Sequence, residues 1–346
     1  MKEGRREREE TRIAERLSFR WRALDESLLI EAVPPKLLML ELTNACNLKC
    51  VMCRNPAMVR RKGMMAPEII EKTVSQAAEM GIEDVALFTT GESLLHKGLL
   101  DAIRTVRNAG LSCYLTSNGL LLNPPLAEAL CLSGLASFKF SIDGATREEY
   151  EAIRVNGSFE KLIENVRLLR TVRDRTGSKM RIICAAVVMR RNEAHLADFR
   201  DLFEPMCDEI LFSFLGNLGG RIEEEKSSFF QKKAAIRPCR LLWDRIVVNY
   251  DGTVTACCID FDAELVYGDI RKDPLVRIWN NAVIREWRRR HLAGNLQGIP
   301  LCDGCDHPAL ADPEELLRLQ EASRKGREET ERKEITGGAA GITEGK

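Results

Sequence analysis

No apolar run in the 346 residues approaches the ~20 needed to span a bilayer; the longest strand-like stretch, Ile182–Met189, has only the length of a buried strand. Neither sign of charge is in excess, with Lys+Arg and Asp+Glu both at 52, which removes the electrostatic case for nucleic acid or an anionic membrane as a partner. The charged opening Met1–Glu10 lacks the apolar core of a signal peptide, so the expected location is cytoplasmic. The four histidines, His96, His195, His291 and His307, show no metal-ligand spacing and are expected to be structural. No internal repeat appears beyond a β-α unit.

Cysteine, by contrast, is plentiful. Twelve in a cytoplasmic chain argue for metal or redox chemistry rather than disulfides. Five of them, Cys113, Cys131, Cys184, Cys207 and Cys258, are scattered and suit small buried hydrophobes. The other seven fall into two groups. Cys46, Cys50 and Cys53 read C-x-x-x-C-x-x-C within Leu42–Cys53. Three such thiolates can hold a [4Fe–4S] cube while one iron stays open to another molecule. Structural zinc is the alternative, but it prefers paired C-x-x-C units with four closed ligands, and no fourth Cys or His lies nearby.

With 45% apolar residues the chain can bury a large domain and a smaller one. Residues 1–33 are charge-rich with helical spacing and read as an N-terminal extension that Pro34-Pro35 ends. Strand-like runs follow at Leu37–Leu42, Asp84–Thr89, Ser112–Thr116, Ser137–Ile142, Arg181–Val188 and Glu209–Phe214, with helical stretches between. Pro67 suits a first helical turn, Thr146–Glu149 a capping box, and Gly81 and Gly110 helix C-termini. The apolar spacing of Phe159, Leu162, Ile163, Val166, Leu169 and Val172 predicts one helix face. Six β-α units predict a parallel sheet with right-handed crossovers. Residues 217–236 read as a linker, and Arg245–Cys257 as a hairpin around Asp251-Gly252. The tail, residues 311–346, reads as helical and then disordered.

The cluster loop and the six units together resemble the radical S-adenosylmethionine (radical SAM) superfamily over roughly residues 37–308. That resemblance implies an α/β fold, a partial (β/α)6 TIM-like barrel over residues 34–216, with chemistry at the C-terminal ends of its strands. It implies that the open iron chelates SAM, and that an electron passed through the cluster cleaves it to methionine and a 5′-deoxyadenosyl radical. Met52 stands where the family usually has an aromatic residue and is expected to cover adenine and cluster. Thr90-Gly91-Glu92-Ser93 stands where the family shows Gly-Gly-Glu-Pro, so Gly91 and Glu92 are expected near the SAM amino group. Ser117, Asn118, Ser141 and Asp143 at later strand ends are expected SAM contacts, and Arg154 a partner for its carboxylate. Val187 and Val188 are expected at the adenine or in the core.

The second group, Cys239, Cys257, Cys302 and Cys305, resembles the SPASM extension of the same enzymes in its shortened, twitch form, over residues 237–310. With no cysteine after Cys305, one auxiliary [4Fe–4S] cluster with four thiolates is expected, zinc being the rival. Cys258 is expected to point away from Cys257, as a buried thiol or as a hydrogen-atom donor. The resemblance implies hydrogen abstraction from a peptide or from a sugar- or aminocyclitol-like small molecule, with a flavodoxin- or ferredoxin-type electron donor. The competing expectation is an iron–sulfur electron carrier or scaffold without SAM cleavage.

Overall fold

The computed structural model describes residues 30–218, 221–222, 225–227 and 238–306. Most of the N-terminal extension and the linker, the whole tail, and His307 lie outside them.

Nine strands form one sheet in the order β6-β5-β4-β3-β2-β1-β7-β8-β9. The first six are β1 Leu37–Leu40, β2 Asp84–Ala86, β3 Ser112–Ser117, β4 Ser137–Ser141, β5 Arg181–Val188 and β6 Glu209–Phe214, all parallel. Helices α1 Pro67–Glu79, α2 Leu99–Asn108, α3 Pro124–Leu132, α4 Arg147–Ile153, α5 Phe159–Thr176 and α6 Leu196–Phe203 fall between the strands and in the β5–β6 crossover. The sheet has two free edges, β6 and β9, so the barrel is partial and open.

The local signals act as expected. Pro67 opens α1, and Thr146 caps α4 by accepting the Glu149 N–H. The Glu149 carboxylate reaches back to the Ala145 N–H at 2.6 Å. Gly81 and Gly110 take positive φ values of 76° and 77°, which turn the chain out of α1 and α2 at no cost to a residue without Cβ. β1, β2 and β4 end one to three residues before their apolar runs do, although the N–H groups of Glu41, Leu87 and Ile142 still donate to the neighbouring strands.

The C-terminal region is joined to the barrel more closely than its linker suggests. β7 (Arg245–Val248) pairs in parallel with β1. β8 (Thr253–Thr255) and β9 (Val266–Asp269) then extend the sheet in antiparallel fashion. β7 covers the strand edge that β1 would otherwise leave unpaired. Behind it lie α7 Leu241–Asp244, α8 Leu275–Trp279 and α9 Ala282–Leu292. The described end of the N-terminal extension docks here, since Trp279 Nε1 donates to Ala32 O and Val33 O.

Side chains alternate across the sheet. Leu38, Leu40, Val85, Leu115, Phe138, Phe140, Ile182 and Cys184 join the main core beneath the helices. The opposite face lines the lumen, where Met39, Ala86 and Val247 pack together with Leu37, Phe88 and Cys258.

Candidate active site

The cluster loop leaves β1 at the C-terminal end of the parallel strands. It is held from three sides, each by backbone or by buried polar groups. The chain after α4 runs alongside it, with Lys49 N donating to Val155 O and Val51 N to Ile153 O, both at 3.0 Å. The loop after β2 crosses it so closely that a Cβ on Gly91 would lie 2.1 Å from Thr43 O and 2.7 Å from Ala45 O. The Glu92 N–H then donates to Ala45 O at 2.8 Å. From β3, Asn118 Nδ2 donates to Asn47 Oδ1 at 2.9 Å.

Glu92 is the polar centre of this crossing. Its carboxylate accepts from Ser117 Oγ and the Asn118 N–H, each at 2.8 Å, and from the Leu94 N–H at 3.0 Å. Burial pushes its pKa up, while those donors and Arg154 pull it back. Asp143 sits in the left-handed region at φ 76°, an uncommon place for a residue with a Cβ. Its carboxylate accepts the Val187 N–H at 2.8 Å and pairs with Arg154 at 2.5 Å. Arg154 also donates to Cys50 Sγ at 3.4 Å. The guanidinium expected at the SAM carboxylate is thus directed to a thiol and a buried acid.

Met52 is buried with Leu48, Cys50, Ile153, Met189 and Leu215, so it packs the inner side of the loop. Ser141 is half-buried, and its hydroxyl makes no hydrogen bond among the described residues. Val187 packs against the loop cluster, whereas Val188 is in the helix-side core. Several residues that spacing did not single out also hold the site. Asn55 Nδ2 donates to Asn44 O and Thr90 O, and Lys62 Nζ to Asn44 O and Asn55. Glu41 accepts from Thr90, Arg60 and the Tyr250 N–H. Asn192 Nδ2 donates to Asp143 O at 2.7 Å. Isolated Asn and Lys in polar loops carry no sequence period, which is why only the fold reveals them.

The donors present suit a thiolate-bound cluster. Burial raises Cys46, and Cys53 to about 11, so iron must displace protons to bind. Lys62 and Arg154 are cations that interact with these thiols, and Arg154 Nη1 and the Asn55 N–H (3.4 Å from Cys53 Sγ) already face sulfur. Arg154 Nε is buried and has no partner. Each of these lowers the cost of thiolate charge in a buried loop.

At the other end, Cys239, Cys257, Cys302 and Cys305 line one apolar pocket with Leu242, Ile259, Trp287 and Ile299. Burial pushes Cys239 and Cys302 to about 12 and Cys257 well above its ordinary value. His291 also lines this pocket. Its Nδ1 accepts the Cys239 N–H at 3.3 Å, so Nε2 carries the proton, and Nε2 is buried without a partner. An unspent N–H donor beside four thiols fits a sulfur-rich group. Among the described residues no three His, Cys, Asp or Glu side chains already form a single-ion site. Cys257 and Cys258 lie just past the end of β8 and diverge, Cys257 into this pocket and Cys258 into the lumen cluster.

Of the other histidines, His96 bonds Met65 O and His195 bonds Glu149, in keeping with structural roles. His291 differs, because burial holds it down at about 4. Between 6.5 and 4 the unfolded chain binds a proton there that the folded protein does not. Stability is therefore expected to fall as pH drops through that window, by up to roughly 3 kcal/mol. Urea midpoints at pH 7 and pH 5 for wild type and His291→Gln check this; equal losses in both would remove His291 as the cause.

Comparison with known proteins agrees with this geometry. Residues 40–202 match the profile of the radical SAM superfamily, and residues 239–306 that of the SPASM iron–sulfur cluster-binding domain. The AdoMet-dependent heme synthase of Methanosarcina barkeri is 31% identical over 138 residues, 39% of each chain. The PqqA peptide cyclase of Gluconobacter oxydans is 29% identical over 217 residues, 60% of this chain and 54% of the relative. The chain thus spans about half or less of the curated relatives it matches. Among solved structures, BtrN in complex with AdoMet and 2-DOIA has a TM-score of 0.56 at 17% identity, covering 80% of this chain and 98% of that one. Streptococcus suis SuiB bound to S-adenosylmethionine has a TM-score of 0.61 at 13% identity, covering 79% and 72%. These two share the fold, and no helix of the described residues is long and apolar enough to cross a membrane. With both profiles matched in order along one open parallel barrel, the chain belongs to the radical SAM superfamily, with a SPASM-type C-terminal domain and with SAM, a [4Fe–4S] cluster and auxiliary iron–sulfur as its cofactors.

Proposed function

We propose that this protein reductively cleaves SAM and uses the resulting 5′-deoxyadenosyl radical to take a hydrogen atom from a substrate held in the barrel lumen, in an oxidation or other modification. The observation that carries the proposal is the pinned crossing of the cluster loop with the β2 and β3 loops. Cys46, Cys50 and Cys53 are set there beside the buried carboxylate of Glu92 and the Arg154–Asp143 pair.

In this reading Cys46, Cys50 and Cys53 hold the SAM-binding cluster, which when bound supplies the electron and the open iron. Glu92 offers negative charge to the SAM ammonium, held in place by Ser117 and the Asn118 N–H so that it need not reorganise on binding. Arg154 neutralises the Cys50 thiolate while Asp143 fixes the guanidinium plane. Met52, Leu48 and Ile153 exclude water beneath the loop. Ser141, at the top of β4, keeps a hydroxyl free for the methionine end of SAM.

Cys239, Cys257, Cys302 and Cys305 hold one auxiliary cluster in residues 237–310, beside Cys258 on the lumen face, and that cluster takes the electron left after hydrogen abstraction. Cys258 faces the substrate from that side. Relatives named for peptides (PqqA, and SuiB with its precursor peptide SuiA) and for small molecules (GTP, heme) support either a peptide or a small-molecule substrate, with a flavodoxin- or ferredoxin-type protein as electron donor.

The test uses anaerobically reconstituted protein with SAM and dithionite. Wild type is expected to carry about eight irons per chain and to form 5′-deoxyadenosine, measured by mass spectrometry. The Cys46→Ala/Cys50→Ala/Cys53→Ala variant is expected to keep about four irons and form none. Fully loaded wild type that yields no nucleoside, with or without dithionite, would sink the proposal.

A further inference from the structure

β4 reads Ser137-Phe-Lys-Phe-Ser141. Phe138 and Phe140 are fully buried in the helix-side core, so strand alternation turns Lys139 into the lumen, one pleat deeper than Ser141. Its Nζ lies 5.3 Å from the centroid of the Phe88 ring, and among the described residues it has no hydrogen-bond or ion-pair partner. The other charges that face this region are committed. Asp84 accepts from Tyr114 Oη at 3.0 Å, Glu209 pairs with Arg181, and Arg245 pairs with Asp244 at 2.6 Å. Thr116 on β3 is in direct register with Lys139. It also faces the lumen, and its hydroxyl has no partner among the described residues. Cys258 from the auxiliary side and, less strongly, Glu209 favour the charged form of Lys139, while Arg245 opposes it.

Lys139 is half-buried in the lumen, where its ammonium loses part of its hydration with no ion-pair or hydrogen-bond partner in return, and a neutral residue of the same length would pack there at less expense. The ring of Phe88 offsets only part of that cost. The burial that disfavours the charge also lowers the pKa of Lys139, and an incoming anion would relieve both effects. We propose that Lys139 and Thr116 form an oxyanion subsite that anchors a substrate carboxylate in the lumen, between the SAM site and the auxiliary pocket. The proposal rests on the radical reading above for what happens to the anchored molecule, and not for the binding itself. It narrows the substrate class to an acid: either a free carboxylic acid or a peptide presenting an acidic side chain.

The experiment is anaerobic equilibrium dialysis of the reconstituted full chain with SAM present. The free-acid arm compares benzoate with its neutral isostere benzamide. The peptide arm compares terminally blocked Gly-Glu-Gly with Gly-Gln-Gly. In at least one arm the acid is expected to bind about tenfold or more better than its amide, the scale of one hydrogen bond to a charged group; the arm that shows it identifies the source. Lys139→Met is expected to erase that preference with an unchanged or raised Tm, Lys139→Arg to keep it, and Thr116→Val to reduce it several-fold. Acid and amide binding equally in both arms, or a preference that survives Lys139→Met, would overturn the subsite. Nucleoside formation by the wild type is read separately, so loss of acid preference with nucleoside present rejects the subsite alone. Acid preference without nucleoside rejects the radical reading alone.

Discussion

Gly91→Ala is expected to reduce 5′-deoxyadenosine formation at least about 100-fold, the loss that a misplacement of roughly 1 Å can bring, although the change adds one methyl group. The new Cβ would sit 2.1 Å from Thr43 O and 2.7 Å from Ala45 O. Both atoms are backbone of the cluster loop, so no side chain can swing away. Overpacking of this kind costs about 1–3 kcal/mol when the neighbours can yield. Here the loops must part, and the hydrogen bond of 2.8 Å from the Glu92 N–H to Ala45 O is the first to break. The displaced Glu92 then leaves the Ser117 hydroxyl proton and the Asn118 N–H without an acceptor in a buried place, each at about 1–3 kcal/mol, although Ser117 Oγ still accepts the Gly119 N–H. Because the disturbance lies in the loop that carries Cys46 and Cys50, iron content is expected to fall toward that of the auxiliary pocket alone. Iron analysis and nucleoside assay on the same preparation check this. A Gly91→Ala protein with wild-type nucleoside yield would mean that the two loops can part without disturbing the cluster.

Arg154→Met is expected to cost about 3–5 kcal/mol, the penalty for leaving one member of a buried ion pair behind. Asp143 is fully enclosed, and its carboxylate would retain the Val187 N–H but lose the guanidinium at 2.5 Å. Burial already raises its pKa against the pull of Arg154, so the orphaned carboxyl takes up a proton rather than remain charged. The Arg154→Met/Asp143→Asn double variant is therefore expected to recover most of the lost stability in urea unfolding. It should not recover the assembly of the SAM-site cluster, since Cys50 would still lack its cation. Additive losses in the double variant would show that the two side chains do not act as a pair.

Both effects fall where the chain's own spacing says least. The barrel was readable because its determinants are local and periodic. Alternating β and α stretches, Pro67 at a helix start, Thr146 at a cap and glycines at helix ends each act within a few residues, and the strand runs at 181–188 and 209–214 match β5 and β6 residue for residue. The three-cysteine loop was readable because its thiols lie within eight residues, Cys46 to Cys53. The four auxiliary cysteines were readable as a set only through family resemblance; their convergence on one pocket follows from β7, β8 and the return of the chain after α9.

What the sequence determined by itself was therefore the kind of chemistry: a thiolate-rich chain, an open parallel barrel and a loop of three cysteines at a strand end. What only the tertiary structure decided was the use of residues far apart in the chain. It set Arg154 against Cys50 and Asp143, closed Gly91 against Thr43, and joined the C-terminal hairpin to β1. It also left His291 Nε2 buried without a partner and set Lys139 over the Phe88 ring with no ion-pair or hydrogen-bond partner among the described residues. The physical reason is that burial and hydrogen bonding are properties of a place, and loops 40 to 200 residues apart make these places. A lone lysine in Ser-Phe-Lys-Phe-Ser is an ordinary strand residue until the sheet turns it into the lumen and sets no ion-pair partner beside it.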